Sequence, residues 1–90
     1  MGRYDRKKDA NQNEIVSALE KAGCAVTDMS AAGDGFTDLL VTRARVHYLL
    51  EVKTDNGKLT DPQIRFHVKH QPVHTVRTID EAFRAVGLTK

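Results

Sequence analysis

Three ionisable residues set in otherwise apolar sequence carry the chemistry of this chain: Asp38, Glu51 and Lys53. Asp38 opens the run Asp-Leu-Leu-Val, and the other two close Val46-His-Tyr-Leu-Leu-Glu-Val-Lys. Ionised groups in such surroundings are costly unless they are paired or bound to metal. Successive side chains on a strand point to opposite faces, so Glu51 and Lys53 project one way and Val52 the other. If the two runs pair, Asp38 brings a second carboxylate beside Glu51. Two carboxylates converging with an ammonium suit a hard divalent cation and an anionic substrate. Mg²⁺ takes one or two carboxylates, keeps several waters and completes its shell with phosphate oxygens.

The elements that must position these residues follow from patterning. Strands are expected over Phe36–Thr42 and Val46–Lys53, with Arg43, Ala44 and Arg45 making an antiparallel reversal. Leu39, Leu40 and Val41, then Tyr48, Leu49, Leu50 and Val52, put apolar groups on both faces, the mark of inner strands in a covered sheet. Before them, a helix starts near Asp9 or Asn11 and runs to Lys21, burying Ile15, Val16, Leu19 and Ala22 and ending at Gly23. Cys24–Met29 reads as a first strand with Cys24, Val26 and Asp28 on one face, and Ser30–Gly35 as a loop of small residues. After Lys53, Asp55-Asn56-Gly57-Lys58 is a turn. Thr60 or Asp61 then caps a helix that has Pro62 early, carries Gln63, Ile64, Phe66, His67 and Val68, and closes near His70. A strand over Val73–Arg77 and a helix over Asp80–Val86, with Ala82, Phe83 and Val86 inward, complete an α/β fold: a mixed sheet flanked by helices.

Composition narrows the function classes. Ninety residues make one domain with a modest core, for which pairing as a homodimer is a ready source of stability. The division expected is a basic flexible tail over 1–8 and a single domain over 9–90. A net charge of +2 permits nucleic acid as a partner without demanding it. Cys24, the single cysteine, allows neither an intrachain disulfide nor a cysteine zinc cluster, and fits a reducing cytoplasm. The amino terminus has no apolar run for a signal or a membrane span, and Arg6 breaks a myristoylation pattern at Gly2. Gly33-Asp34-Gly35 precedes a strand and lacks a third glycine, which argues against a dinucleotide loop. Asp34 and Asp38 are too close for a calcium loop. His67 and His70, three apart, have the spacing of a metal pair but no third ligand at a matching distance.

Taken together, Asp38, Glu51-Val-Lys53 and the order of elements resemble the PD-(D/E)xK, or restriction endonuclease-like, nuclease superfamily. Within it the chain is similar to the small stand-alone VRR-NUC type of phages and bacteria. The resemblance extends from Asn11-Gln-Asn-Glu-Ile-Val through Leu59-Thr-Asp-Pro-Gln to Val76-Arg-Thr-Ile-Asp-Glu-Ala. It implies an αβββαβ core with a C-terminal helix and a Mg²⁺- or Mn²⁺-dependent DNA endonuclease, acting in the cytoplasm of a bacterial or phage-infected cell. It places metal ligation on Asp38, Glu51 and the Val52 carbonyl, and the catalytic lysine on Lys53. A further acidic residue, for metal or its waters, falls on Glu14, and a positioning glutamine on Gln63. Thr37 stands where the family has proline, a residue that shapes backbone and carries no charge. The short segments after Lys53 and after His67 leave little chain to clamp a substrate, which favours a dimer selecting branched or junction DNA.

Each of these residues also has a plainer role. Glu14 alone is a solvated first-turn glutamate favoured by the helix dipole. Glu51 with Lys53 can be a structural ion pair, Gln63 a helix cap, and His67 a packed side chain. Arg6, Lys7 and Lys8 in the tail, with Arg43, Arg45, Lys58, Arg65 and Lys69, form either a solvated surface or a track for a phosphate backbone. The competing function is therefore a nucleic-acid-binding module that keeps a nuclease-like fold without cleaving. Retention of Asp38, Glu51 and Lys53 together favours the enzyme.

Overall fold

The computed structural model describes residues 11–33 and 35–90. The basic tail with Arg6, Lys7 and Lys8, the helix start at Asp9 and the loop residue Asp34 lie outside the described residues. The element order is α1 (Gln12–Lys21), β1 (Ala25–Asp28), a 3-10 turn (Ser30–Ala32), β2 (Leu39–Arg43), β3 (Val46–Val52), α2 (Asp61–Lys69), β4 (Val73–Val76) and α3 (Ile79–Ala85). The strands form one mixed sheet in the order β1-β2-β3-β4, antiparallel except for the β3–β4 pair. Only β3 and β4 are parallel because α2 carries the chain back between them.

One face of the sheet makes the core. Leu39 and Val41 of β2, Leu50 and Val52 of β3 and Val76 of β4 bury against Ile15 and Leu19 of α1 and Ala82 and Val86 of α3. Each large aliphatic group so buried contributes roughly 1.5–3 kcal/mol. α1 stops as expected: Gly23 takes φ +95°, and the Cys24 N–H returns to the Leu19 carbonyl at 3.0 Å. Ala22, expected inward, is exposed because the helix has already ended there. Val16 is half-buried, and Gln12, which no apolar pattern marks, is buried. Among the described residues no helix is long and apolar enough to cross a membrane.

Several boundaries differ from expectation by a residue or more, and the two ends of β2 do so for a local reason. Ala44 and Arg45 both adopt positive φ (50° and 68°), a two-residue reversal whose twist suits a hairpin. Arg43 consequently pairs with Val46 within the ladder. At the other end β2 begins at Leu39, not Phe36, because side chains there take over bonds a backbone ladder would make. The Thr37 hydroxyl donates to the Leu50 carbonyl at 2.7 Å, and an Asp38 carboxylate oxygen accepts the Val52 N–H at 2.9 Å.

Among the described residues the second face is covered by α2 where Glu51 lies. Leu40 and Leu49 on that face stay half-buried. α2 is seated against the loop before β2 at Gly35, which has φ +77° and where a Cβ would overlap the Pro62 carbonyl. Gly35→Ala should therefore combine left-handed strain of about 1–2 kcal/mol with overpacking of about 1–3 kcal/mol. Gly23→Ala meets nothing within 4 Å and should cost the strain alone. Urea denaturation of the two variants should rank them in that order.

Candidate active site

The site lies at the open end of the β2–β3 hairpin, beneath the first two turns of α2. Extending the Leu39–Leu50 register by one step sets Asp38 opposite Glu51. Glu51 is 1 % exposed, a carboxylate buried in an inner strand. Asp38 is half-buried and fixed by the Val52 N–H, so its carboxylate is tied to the residue next to Glu51. The Val52 side chain points into the core, as strand alternation requires.

Gln63 joins the helix to this strand. Thr60 caps α2, its hydroxyl accepting the Gln63 N–H at 3.3 Å. The Gln63 side-chain oxygen accepts the Thr60 N–H at 2.9 Å, completing a capping box. Its Nε2 then donates to Glu51 Oε2 at 3.1 Å. The cap expected of Gln63 is present, and the same side chain also reaches Glu51.

Lys53 places Nζ 3.9 Å from the same Glu51 oxygen, a Coulombic contact longer than a hydrogen bond. Its backbone is clamped on two sides. The N–H donates to the Val76 carbonyl at 3.0 Å, and the carbonyl accepts from Asn11 Nδ2 at 3.0 Å. Asn11 Nδ2 also donates to the Arg77 carbonyl at 2.7 Å. Asn11 was expected to cap α1; it stands at that position, but its side chain makes no capping bond and instead holds the ends of β3 and β4 together.

His67 faces inward from α2, one turn beyond Gln63, with Nε2 4.0 Å from Glu51 Oε1. Burial, and then the charge of Lys53, hold its pKa below the ordinary 6.5, so the imidazole is neutral at physiological pH. The only advance signal for this placement was its spacing of four from Gln63. Burial also raises the Cys24 thiol, against a smaller lowering by Arg43, leaving it protonated inside the core.

Glu14 is not brought to this cluster. It is exposed and lines a separate groove of about 300 Å³ with Asn11, Arg77, Thr78 and Asp80. The expected cations also separate. Arg43 donates to the Val86 carbonyl at 3.3 Å, and Arg45 sits at the hairpin reversal. At 3.3 Å per residue the hairpin tip is roughly 20 Å from Glu51. Lys58, Arg65 and Lys69 are exposed, the last two on α2, where they line a cleft with Phe36.

The donor set can be tested against the implied cation. Among the described residues no three His, Cys, Asp or Glu side chains form a ligand cluster. Asp38 and Glu51 supply two carboxylates, which suits a hard ion that keeps most of its shell as water and phosphate oxygen. The pair fits Mg²⁺ or Mn²⁺ better than a tetrahedral zinc centre. No protein-family model, curated protein or solved structure matches this chain.

Two outcomes are expected. Thr37→Val leaves the buried Leu50 carbonyl without its hydroxyl donor and should cost roughly 1–3 kcal/mol in chemical denaturation. For His67, a folded pKa below the unfolded 6.5 contributes stability that is present above pH 6.5 and lost as pH falls through the folded value. With chelator present, the His67 proton resonances should titrate below 6.5, and His67→Gln should lessen the loss of stability as pH falls below 6.5.

Proposed function

We propose that this chain is a metal-dependent DNA endonuclease of the PD-(D/E)xK kind, similar to the VRR-NUC type. The observation that carries the proposal is the buried carboxylate of Glu51, held by Gln63 beside Lys53 with Asp38 opposite. Burying a carboxylate costs several kcal/mol unless its partners compensate. A purely structural pair has no need of a second carboxylate at the same place.

Asp38 and Glu51, with the Val52 carbonyl, are the groups that would hold Mg²⁺ or Mn²⁺. When bound, such an ion supplies Lewis acidity and lowers the pKa of a coordinated water. The chain's own residues do the rest. The Lys53 ammonium, close to the Glu51 carboxylate, is placed to orient a water and to balance charge developing on phosphate oxygens. Gln63 fixes the rotamer of Glu51 so that its second oxygen keeps a constant direction. Neutral His67 walls the site on the helix side. The exposed position of Glu14 gives no support to a role in holding a second ion.

Arg65, Lys69 and Lys58 lie where a phosphate backbone would run past the acidic pair. Arg43 and Arg45 suit contacts one duplex width away, and Arg6, Lys7 and Lys8 add a basic arm. A homodimer is part of the proposal: Ile64 and Val68 are 46 % and 65 % exposed on α2, apolar surface that a small domain gains by covering. A dimer presenting two such sites would select branched DNA by shape. The expected compartment is the cytoplasm, where DNA and Mg²⁺ are both present.

Cleavage of labelled plasmid, linear duplex, flap and four-way junction tests the proposal. With Mg²⁺ or Mn²⁺ the protein should cut, and with chelator it should not. Asp38→Ala should abolish cutting, and Lys53→Ala should reduce it by about 10²–10³-fold, as loss of a charge-stabilising group does. Salt-sensitive binding without any cutting by the unaltered protein would instead assign a non-catalytic binding module.

A further inference from the structure

On the flank of α2, three aromatic rings contact one another in series, their planes tilted by 51° and 38°. Phe36 packs on Phe66 with ring centroids 4.8 Å apart, and Phe66 packs on His70 at 4.5 Å. The outer members present surface: Phe36 is 36 % exposed and His70 is exposed. They line an open cleft of about 460 Å³ together with Pro62, Arg65 and Lys69. Both cations are exposed, and no acidic side chain among the described residues lines the cleft.

The fold leaves part of each ring uncovered. α2 turns Gln63 and His67 toward the sheet, so Phe66 is left on its side, where burial is incomplete. A phenylalanine at position 36, immediately before the buried Thr37, also stays at the surface. The ladder is held in place from both ends of the site. Phe36 lies two residues before Asp38, and Phe66 three after Gln63, while the Gly35–Pro62 contact fixes the loop against the helix.

We infer that this cleft is a binding subsite for an unpaired nucleotide, whose base stacks on the Phe36–Phe66–His70 ladder while Arg65 and Lys69 hold the flanking phosphates. The chemistry selects that occupant. Aromatic platforms with adjoining cations bind bases of any sequence through their π-faces, at about 1–3 kcal/mol per base. In an intact duplex those faces are covered by neighbouring base pairs. Only a single strand, a flap or an opened junction offers one to a ring. The inference rests on the nuclease reading of the neighbouring site and gives it a substrate feature: an unpaired nucleotide next to the phosphate that is cut.

The test is equilibrium binding in chelator, where no strand is cut. The probes are a fluorescein-labelled 12-nucleotide single strand, the blunt duplex of the same sequence, and a single strand carrying 2-aminopurine. The expected results are tighter binding of the single strand than of the duplex, and a change in 2-aminopurine fluorescence on binding. Phe36→Leu keeps apolar volume but removes the ring, and His70→Leu does the same at the exposed end. Each should weaken the single strand by about 5–100-fold and leave the duplex unchanged. Arg65→Gln should lower the salt dependence of single-strand binding by about 0.7 in log–log slope, the share of one phosphate.

Equal affinity for single strand and duplex with no 2-aminopurine response would overturn the inference. So would single-strand affinity unaltered in Phe36→Leu. A dimer in sedimentation that Phe36→Leu dissociates, with oligonucleotide binding intact, would also overturn it by assigning the cleft to self-association. Selective single-strand binding with no metal-dependent cutting would support the subsite while sinking the nuclease reading, so the two can fail separately.

Discussion

A carboxylate buried in the second of two inner strands is the constraint around which this small domain is arranged. Glu51 is nearly inaccessible to water, and its neighbours explain how a sheet of four short strands tolerates it. Gln63 donates a hydrogen bond to it, and Lys53 stands close enough for a strong Coulombic contact at reduced dielectric. Such a residue is not cheap, and apolar residues on the same strand would have filled the space at lower cost. Its presence therefore calls for a reason outside packing, and metal-assisted chemistry on a phosphodiester is a reason the surrounding groups are able to serve.

The same constraint determines which way α2 faces. Most surface helices turn apolar residues to the core and polar ones to water. Here Gln63 and His67 face the sheet, while Ile64 and Val68 face out. The core forms on the opposite side of the sheet, where α1 and α3 bury Leu39, Val41, Leu50 and Val52. A division of labour results. One face of the sheet supplies stability in the usual way, and the other is freed to carry polar groups and exposed aromatic and apolar surface.

Much of this was legible in the residues. The apolar runs Leu39–Val41 and Tyr48–Leu50 identified the hairpin, Gly23 marked the end of α1, and Thr60 with Pro62 marked the start of α2. The opposition of Asp38 and Glu51 was expected on condition that the two runs paired, and the register of the hairpin meets that condition. What escaped was long-range hydrogen bonding by uncharged polar side chains. Asn11 reads as a helix cap in any local window, yet it bonds carbonyls 42 and 66 residues away. Thr37 read only as standing where the resembled family has proline, and its hydroxyl is a buried donor to the Leu50 carbonyl. Glu14 is a different case. The resemblance put it at the site, while the residues alone read as a solvated first-turn glutamate, and with Ile15 and Leu19 of α1 buried it lies exposed in a groove with Asn11 and Arg77.

The double use of Gln63 carries a consequence for how the site comes into being. Its side-chain oxygen is occupied by the Thr60 N–H, so the amide cannot turn over, and the NH₂ end must point at Glu51. The first turn of a helix thereby acts as the keeper of a carboxylate's orientation. Formation of that turn and aiming of Glu51 are one cooperative event, not two steps in sequence. A chain in which α2 frayed at its start would keep its sheet and its core and lose the aim of Glu51, so on the nuclease reading the helix terminus is a place where activity could be switched without unfolding the protein.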